Sequence, residues 1–256
     1  MTPVDDLGAE VPLRGTPSRV VSLVPSLTEA VERTAPGVIV GATEYCAHPA
    51  DLDVPRVGGS KYPKVDEVLA LAPDLVLANV DENLPRDVAA LRAEGVPVWV
   101  TAEPHDVPGS LASLRRLFAG AFGLGAPDWL VAAERVWAPV DPVRAVAVVP
   151  VWRRPWVVVG GSTFATDVLR RLGVLNAYAD HADRFPRPEL AELRAVLDGG
   201  RADLVVLPDE PYPFTADDGP EVFPGTRCAL VSGRHLTWQG PSLVEARDVL
   251  GRALFP

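Results

Sequence analysis

Residues 19–29 read Arg19-Val-Val-Ser-Leu-Val-Pro-Ser-Leu-Thr-Glu29, and this stretch decides the fold class. The β-branched residues near its start predict a short buried strand. Ser26, with Glu29 three residues later, predicts the N-cap of a helix that ends near Thr34. A strand that leads at once into a helix opens a βαβ unit, so the stretch predicts a parallel sheet whose strands alternate with helices.

The alternation of strands and helices continues beyond this stretch and starts again in the second half of the chain. In the first half, the patterns predict strands at 38–42, 74–80 and 96–101 and helices at 65–71 and 85–94. In the second half they predict strands at 144–151, 156–160, 203–208 and 228–232 and helices at 163–172, 189–197 and 242–254. The strands are nearly continuous apolar runs, as burial on both faces requires. The predicted fold class is α/β, with two Rossmann-like lobes that have parallel sheets.

The connection between the two lobes is mainly helical, because 107–122 and 127–137 both have a helical period. We expect an N-terminal α/β lobe at 1–106, an inter-lobe helical segment at 107–142 and a C-terminal α/β lobe at 143–256. Ligands of parallel sheets bind outside the carboxyl ends of the strands. We therefore expect a ligand cleft between the lobes.

The loops at the predicted strand ends concentrate aromatic and polar side chains. Aromatic planes bury much apolar area at low conformational cost, and a few polar groups fix the orientation of a ligand. The predicted ligand-binding residues are Tyr45, Lys61, Tyr62, Glu82, Trp152, Arg153, Trp156, Glu210, Tyr212, Phe214, His235 and Trp238. His235 is also a candidate axial ligand for a metal that a chelate already holds; the alternative is a surface or capping histidine. Trp99, inside an apolar strand, is expected in the core.

Several classes of function lose support from composition and motifs. The formal net charge is −10, from 34 acidic and 24 basic residues, which disfavours a nucleic-acid partner. No apolar run is long enough to insert into a membrane. The sequence has no Gly-x-Ser-x-Gly elbow, Walker A loop or Gly-x-Gly-x-x-Gly fingerprint. Cys46 and Cys228 form neither a disulfide framework nor a zinc motif, so no protein-only metal site is expected.

The chain resembles a known family along nearly its whole length. The resemblance rests on residues 19–29 and on Gly41-Ala-Thr-Glu-Tyr-Cys46, Pro55-Arg-Val-Gly-Gly59, Glu67-Val-Leu-Ala-Leu-Ala-Pro-Asp-Leu-Val-Leu77, Trp152-Arg-Arg-Pro-Trp156 and Thr237-Trp-Gln-Gly-Pro241. These segments are similar to the cobalamin- and siderophore-type substrate-binding proteins of ABC importers, the helical-backbone metal receptors of cluster III. The resemblance implies non-catalytic binding of a cobalamin-like or metal-chelate ligand, of siderophore or haem type, in the cleft, with no covalent cofactor.

The resemblance also implies an ABC permease as partner, docked through one surface carboxylate on each lobe, at Glu67 and Glu192. The start of the chain, Met1-Thr-Pro-Val-Asp-Asp, lacks the basic and apolar regions of a secretory signal and predicts a cytoplasmic protein. An extracytoplasmic location is expected if a longer N-terminus has been removed. The alternative function is a cytosolic enzyme or ligand sensor on the same scaffold, with Glu44, Glu82 and Glu210 available for acid/base chemistry.

Overall fold

The structure is a computed structural model that describes residues 2–256. These residues form two compact units. The first unit contains the chain up to Glu103 together with Leu111–Val131 and Gln239–Pro241, and the second contains Pro104–Ser110, Ala132–Trp238 and Ser242–Pro256. Because the chain passes between the units more than once, each unit is assembled from separate stretches of sequence.

The first unit is built on a four-stranded parallel sheet. Its strands are β1 (Val20–Ser22), β2 (Ile39–Ala42), β3 (Leu75–Asn79) and β4 (Val98–Thr101), in the order β2-β1-β3-β4. The helices between them are α1 (Pro25–Thr34), α2 (Val65–Ala70) and α3 (Pro85–Ala93). All residues of β1, β3 and β4 are buried, which explains their uninterrupted apolar sequence.

Two helices follow β4 and have residues in both units. They are α4 (Val107–Phe122) and α5 (Asp128–Trp137). No helix among the described residues is both long enough and apolar enough to cross a bilayer.

The second unit contains another four-stranded parallel sheet and a short antiparallel hairpin. Its strands are β5 (Ala145–Val148), β6 (Pro150–Trp152), β7 (Val157–Val158), β8 (Val174–Asn176), β9 (Leu204–Pro208) and β10 (Arg227–Val231). The parallel sheet has the order β10-β9-β5-β8, and β6 pairs with β7. The helices are α6 (Phe164–Arg171), α7 (Leu190–Asp198), α8 (Gly233–Thr237) and α9 (Leu243–Leu254), with a 3-10 turn at Pro220–Val222.

The two parallel sheets have the same topology. When the strands of each sheet are numbered along the chain, both sheets have the order 2-1-3-4. The third strand of each follows an aspartate that accepts backbone N–H groups of the first strand or of the residues just before it: Asp74 from Ser18 and Arg19, both at 2.9 Å, and Asp203 from Val146 at 2.9 Å. The predicted α/β class with parallel sheets is confirmed.

Some element boundaries differ from the prediction. Helix α1 begins at Pro25 with Val24 as its N-cap, so the capping box expected at Ser26 does not form. Proline is favoured in the first helical turn because its missing N–H would be unpaired there anyway. The strand expected at 144–151 divides at Val149, since Pro150 has no N–H to continue the β5 ladder and instead begins β6. Strand β8 and helix α8 were not predicted.

Each unit has its own hydrophobic core. In the first unit, Val21, Val76 and Val98 from the sheet pack with Val68 and Leu91 from the helices, all at most 1% exposed. In the second unit, Val148, Val205 and Leu207 pack with Leu193 of α7, and aromatic side chains complete the cluster. Full burial of each such aliphatic side chain contributes about 1.5–3 kcal/mol, so the cores hold the strand ends in fixed positions.

Candidate functional site

The strand order locates a candidate site in each unit. In a sheet of order 2-1-3-4, the crevice for a ligand lies outside the carboxyl ends of the first and third strands, where the strand order reverses. In the first unit, the connection after the first strand is only two residues long, and the longer loops at the carboxyl edge are 43–63, after the second strand, and 80–84, after the third; they are here called the first-unit loops. In the second unit they are 149–156 and 209–219, the second-unit loops. Ten of the twelve predicted ligand-binding residues lie in these four loops.

Two asparagines hold the first-unit loops in place. The Asn79 side chain donates to Thr101 Oγ1 at 2.9 Å and to the Ala102 carbonyl at 3.0 Å, so it joins the ends of β3 and β4. The Asn83 side chain donates to the Ser60 carbonyl at 2.9 Å and accepts the Asn79 N–H at 2.8 Å. Both residues are buried. The sequence prediction did not include them, although asparagine on both sides of a short acidic segment at a strand end was a visible signal.

Lys61 and Glu82 meet within the first-unit loops. The Lys61 ammonium donates to the carbonyl of Asp81. Burial raises the pKa of the Glu82 carboxyl, the positive charge of Lys61 opposes this shift, and the negative charge of Asp81 adds to it. A carboxyl group in this environment holds its proton to higher pH than an exposed one and then donates a hydrogen bond.

Tyr45 and Tyr62 present exposed rings on the first-unit loops. Tyr45 is 66% exposed and Tyr62 is 72% exposed. A Cβ atom at Gly59 would lie 3.2 Å from the Tyr45 ring, so the glycine lets that ring pack close to the backbone. Within the described part of the chain neither phenol oxygen has a hydrogen-bond partner. Both are therefore available to a ligand.

Trp152 and Tyr212 form an aromatic pair on the second-unit loops. The ring centroids lie 5.7 Å apart in an edge-to-face arrangement, and Trp152 remains 44% exposed. The Tyr212 hydroxyl donates to Asp218 at 2.5 Å. Gly219, at φ +131°, allows the turn after Asp218, where a Cβ would lie 2.8 Å from the Phe214 ring.

Arg153 is held by acidic residues of its own unit. It forms ion pairs with Asp218 and, at 2.6 Å, with Glu221. Burial alone would raise the pKa of Glu221, but the Gly219 N–H and the Arg153 guanidinium lower it. Asp218 and Glu221 were not predicted as site residues. The network joins the β6–β7 hairpin to the 209–223 segment, so Arg153 positions the aromatic pair.

Trp156 and Phe214 lie in the hydrophobic core of the second unit. The two rings are nearly parallel, with 7° between their planes and 6.2 Å between centroids, and Phe223 packs against Trp156 at 5.6 Å. Trp156 is 9% exposed and Phe214 is 3% exposed. Trp156 and Phe214 therefore pack beneath the second-unit loops, whereas Trp152 and Tyr212 lie at the surface of these loops.

Glu210, His235 and Trp238 lie around helix α8. A Cβ at Gly233 would come within 2.3 Å of the Glu210 side chain, so the helix begins in direct contact with Glu210. Trp238, at the end of α8, is buried. His235 uses both ring nitrogens, with Nδ1 at 2.8 Å from Ser232 Oγ and Nε2 at 3.1 Å from a Glu245 oxygen. Coordination of a metal by His235 would require the loss of one of these bonds.

The two predicted docking carboxylates occupy matching places. Glu67 is the third residue of α2, and Glu192 is the third residue of α7; each of these helices precedes the third strand of its sheet. Glu67 is exposed and pairs with Lys64 at 2.9 Å. Glu192 accepts a hydrogen bond from Tyr178 at 3.2 Å. Burial, together with the Glu192 charge, raises the pKa of Tyr178 to about 12.

The described residues do not form a cluster of side chains that could bind a metal ion. Among residues 2–256, no group of three or more His, Cys, Asp or Glu side chains is placed to hold a metal ion. The first-unit and second-unit loops offer exposed aromatic area, phenols without a partner among residues 2–256, and a half-buried carboxyl beside a lysine. Such a surface suits the binding of a ligand with apolar faces and a polar rim.

The two α/β units with parallel sheets define a fold class, and comparison with known proteins finds the same fold in binding proteins. The structure is similar to the apo periplasmic heme-binding protein RhuT from Roseiflexus sp. RS-1, with a TM-score of 0.74, 22% identity and coverage of 94% of this chain and 98% of that one. It is also similar to the periplasmic vitamin B12-binding protein BtuF of Vibrio cholerae, with a TM-score of 0.72, 17% identity and coverage of 93% and 96%. The fold-level resemblance inferred from the sequence is thereby confirmed.

Sequence comparison gives a shorter match. A vitamin B12-binding protein of Vibrio cholerae serotype O1 is 32% identical over 83 residues, which span 32% of this chain and 30% of that protein. No protein-family model matches the chain. These structural neighbours are periplasmic proteins, so the expected cytoplasmic location finds no support in them.

Proposed function

We propose that this protein binds, without chemically changing it, a metal-chelate ligand of cobalamin or haem type. The observation that carries the proposal is the exposed aromatic surface at the carboxyl ends of both sheets, formed by Tyr45 and Tyr62 in the first unit and by Trp152 and Tyr212 in the second. Structural neighbours with this fold bind heme or vitamin B12. Flat macrocycles need such surfaces because stacked aromatic contacts bury large areas.

The first-unit loops supply the polar contacts. Glu82, with its raised pKa, donates a hydrogen bond while it is protonated and accepts one when it is ionised. Lys61 offers a positive charge to a carboxylate or phosphate on the rim of the ligand. Asn79 and Asn83 keep both side chains in position, so little ordering is required when the ligand binds.

The structure favours a tyrosine over His235 as the residue that reaches the metal of the ligand. His235 has a partner on each ring nitrogen, whereas the phenol oxygens of Tyr45 and Tyr62 are exposed and unpaired among the described residues. A phenolate is a known axial ligand of haem iron. His235 then stabilises α8 and α9 through Ser232 and Glu245.

Absorption titrations test this function. The protein is titrated separately with haemin and with cyanocobalamin, and we expect saturable binding of one class and a higher melting temperature when it is present. Tyr45→Phe or Tyr62→Phe should shift the spectrum of bound haem if that phenol coordinates iron. Tyr178→Phe is the matched control, because its phenol is buried and bonded to Glu192.

Two results contradict the proposal. One is the absence of any saturable spectral change with either ligand from a folded protein. The other is recovery of a chemically altered ligand by mass spectrometry, which supports the alternative of an enzyme on this scaffold. A ligand that is released unchanged supports the binding function.

We further propose that the protein works outside the cytoplasm and delivers its ligand to an ABC permease through Glu67 and Glu192. The periplasmic neighbours and the matching places of the two glutamates on α2 and α7 support this role. Fractionation of the native host tests the location, and recovery only in the cytoplasmic fraction would contradict it.

A further inference from the structure

A cavity lies in the second unit, at the opposite edge of the sheet from the second-unit loops. It has a volume of about 350 Å³ and is formed by the segment before β5, the end of α6 and the last turns of α9. Its main lining residues are Asp141, Arg144, Leu172, Arg247, Arg252 and Phe255, with Asp248 beside them. Arg144 directly precedes β5, so this cavity is at the amino end of the strand.

The arginines that line this cavity differ in how many hydrogen-bond and ion-pair partners they have. Arg247 pairs with Asp141 at 2.6 Å and donates to the Pro139 carbonyl at 3.2 Å. Within the described residues, Arg144 and Arg252 have no carboxylate at ion-pair distance. Arg252 uses only its Nε, which donates to the Asp248 carbonyl at 3.3 Å. Two guanidinium groups therefore have terminal N–H groups available to an anion.

Phe255 fixes the orientation of Arg144. The Arg144 guanidinium carbon lies 3.5 Å from the centre of the Phe255 ring, and Arg227 lies 5.9 Å from the same ring. A guanidinium stacked on an aromatic face keeps the N–H groups at its edge free. Those groups match the geometry of a phosphate, to which arginine donates two parallel hydrogen bonds.

We propose that this cavity binds a phosphate monoester of a small polyol. The phosphate is held by Arg144 and Arg252, and the carbon chain contacts Leu172 and Phe255. The Asp248 carboxylate, which has no partner among the described residues, accepts hydrogen bonds from the hydroxyl groups. The cavity is larger than a phosphate ion alone requires. Its apolar wall, Leu172 and Phe255, would contact the carbon chain of the ester, and Asp248 would accept hydrogen bonds from the hydroxyl groups.

Isothermal titration of the full chain tests this site, with glycerol 3-phosphate, inorganic phosphate and glycerol as separate probes at constant ionic strength. We expect glycerol 3-phosphate to bind more tightly than inorganic phosphate and glycerol not to bind. Arg144→Gln and Arg252→Gln should each weaken glycerol 3-phosphate binding about tenfold or more, since each removes a charged hydrogen bond. Arg135→Gln is the control, because Arg135 is exposed on α5 of the same unit.

The haemin and cyanocobalamin titrations should be unchanged in these variants, which separates this site from the aromatic loops. Equal loss of binding in Arg135→Gln would mean unspecific attraction and would overturn the proposal. Equal affinity for inorganic phosphate would overturn the ester as ligand. If Arg144→Gln does not fold, Arg252→Gln and Asp248→Asn still test the proposal. Asp248→Asn should weaken the binding of glycerol 3-phosphate and leave the binding of inorganic phosphate unchanged or stronger.

Discussion

The fold places the Glu82 carboxyl in surroundings that disfavour its ionised form. Burial raises its pKa above the usual value of about 4.3, despite the nearby Lys61. The folded protein therefore binds this proton more tightly than the unfolded chain does. Stability consequently decreases as pH rises from the unfolded pKa through the higher folded pKa, because ionisation costs more in the folded state.

Glu82→Gln should therefore stabilise the protein at neutral pH. The amide resembles the protonated carboxyl in shape and carries no charge to desolvate. The difference in the free energy of unfolding should be largest near pH 7 and should disappear below about pH 4, where the carboxyl is protonated in both states. Urea denaturation across this pH range measures it. The exposed Glu94→Gln is the control, and a destabilised Glu82→Gln at pH 7 would contradict the argument.

Trp152 and Trp156 are four residues apart and have opposite surroundings. Trp156→Ala should lower the free energy of unfolding by about 3–5 kcal/mol, because it leaves a hole between Phe214 and Phe223. Trp152→Ala should cost far less stability, since that ring is 44% exposed, and should weaken ligand binding. Trp99→Ala, in the buried strand β4, is the reference for a core tryptophan. Equal denaturation midpoints for Trp152→Ala and Trp156→Ala would refute this division.

Helix α4 is fixed at its start by Asp167 of α6. One Asp167 oxygen accepts the Val107 N–H at 3.0 Å and Arg171 Nε at 2.7 Å, and the other accepts Arg170 at 2.6 Å. Burial alone would raise the pKa of Asp167, but these hydrogen bonds lower it below the ordinary value. A carboxyl with a lowered folded pKa stabilises the fold above its unfolded pKa, and this stability is lost as pH falls through the folded pKa.

Asp167→Asn should lower the free energy of unfolding at pH 7 by about 3–5 kcal/mol, since it leaves the Arg171 charge without its acidic partner. Arg171 is 9% exposed and also donates to the Trp137 carbonyl at 2.6 Å, so it has no easy route to water. Arg170→Gln is the matched control, because Arg170 is largely exposed and its removal should cost below about 1 kcal/mol. Similar losses in both variants, measured by guanidinium denaturation, would show that burial of the pair is unimportant.

The elements that the sequence predicts well are those with a long, unambiguous period. The bounds predicted for α4 agree with the structure, since sixteen residues give the helical pattern many repeats. Strand β8 has three residues, and its pairing with β5 depends on contacts far away in the sequence. The division of 144–151 at Pro150 was readable from the sequence, because a proline inside a predicted central strand argues against its continuation.

The candidate site, like the short strand β8, could be predicted from the sequence only in part. Aromatic and polar composition indicated loops that the structure places at the carboxyl ends of the strands, and their role in ligand binding stays a prediction. The partners of Arg153 lie 65 and 68 residues further along the chain, and no local pattern joins Arg153 to Asp218 and Glu221. Composition also does not separate Trp152 from Trp156, since only the packing of Phe214 and Phe223 decides which ring is buried.

The whole molecule repeats one design in two units. Both sheets have the order 2-1-3-4, both have an aspartate before the third strand that bonds back to the start of the first, and both have a glutamate at the third position of the preceding helix. Glu67 and Glu192 do not form the cores and do not lie in the aromatic loops. Their matching places support the proposed docking on a partner with two similar halves.

Glu67→Gln and Glu192→Gln should therefore leave ligand affinity unchanged and reduce ligand uptake by the host, with the double variant most impaired. In the proposed docking, removal of the charge abolishes an ion pair with a basic residue of the permease, while the amide of Glu192→Gln still accepts the Tyr178 hydrogen bond. Asp66→Ala and Glu189→Ala, which remove exposed neighbouring carboxylates, are the controls. Uptake is measured with radiolabelled ligand and affinity by absorption titration. Uptake at the parental rate in the double variant would disprove docking through these glutamates, whereas a parallel fall in affinity would place them in ligand binding instead.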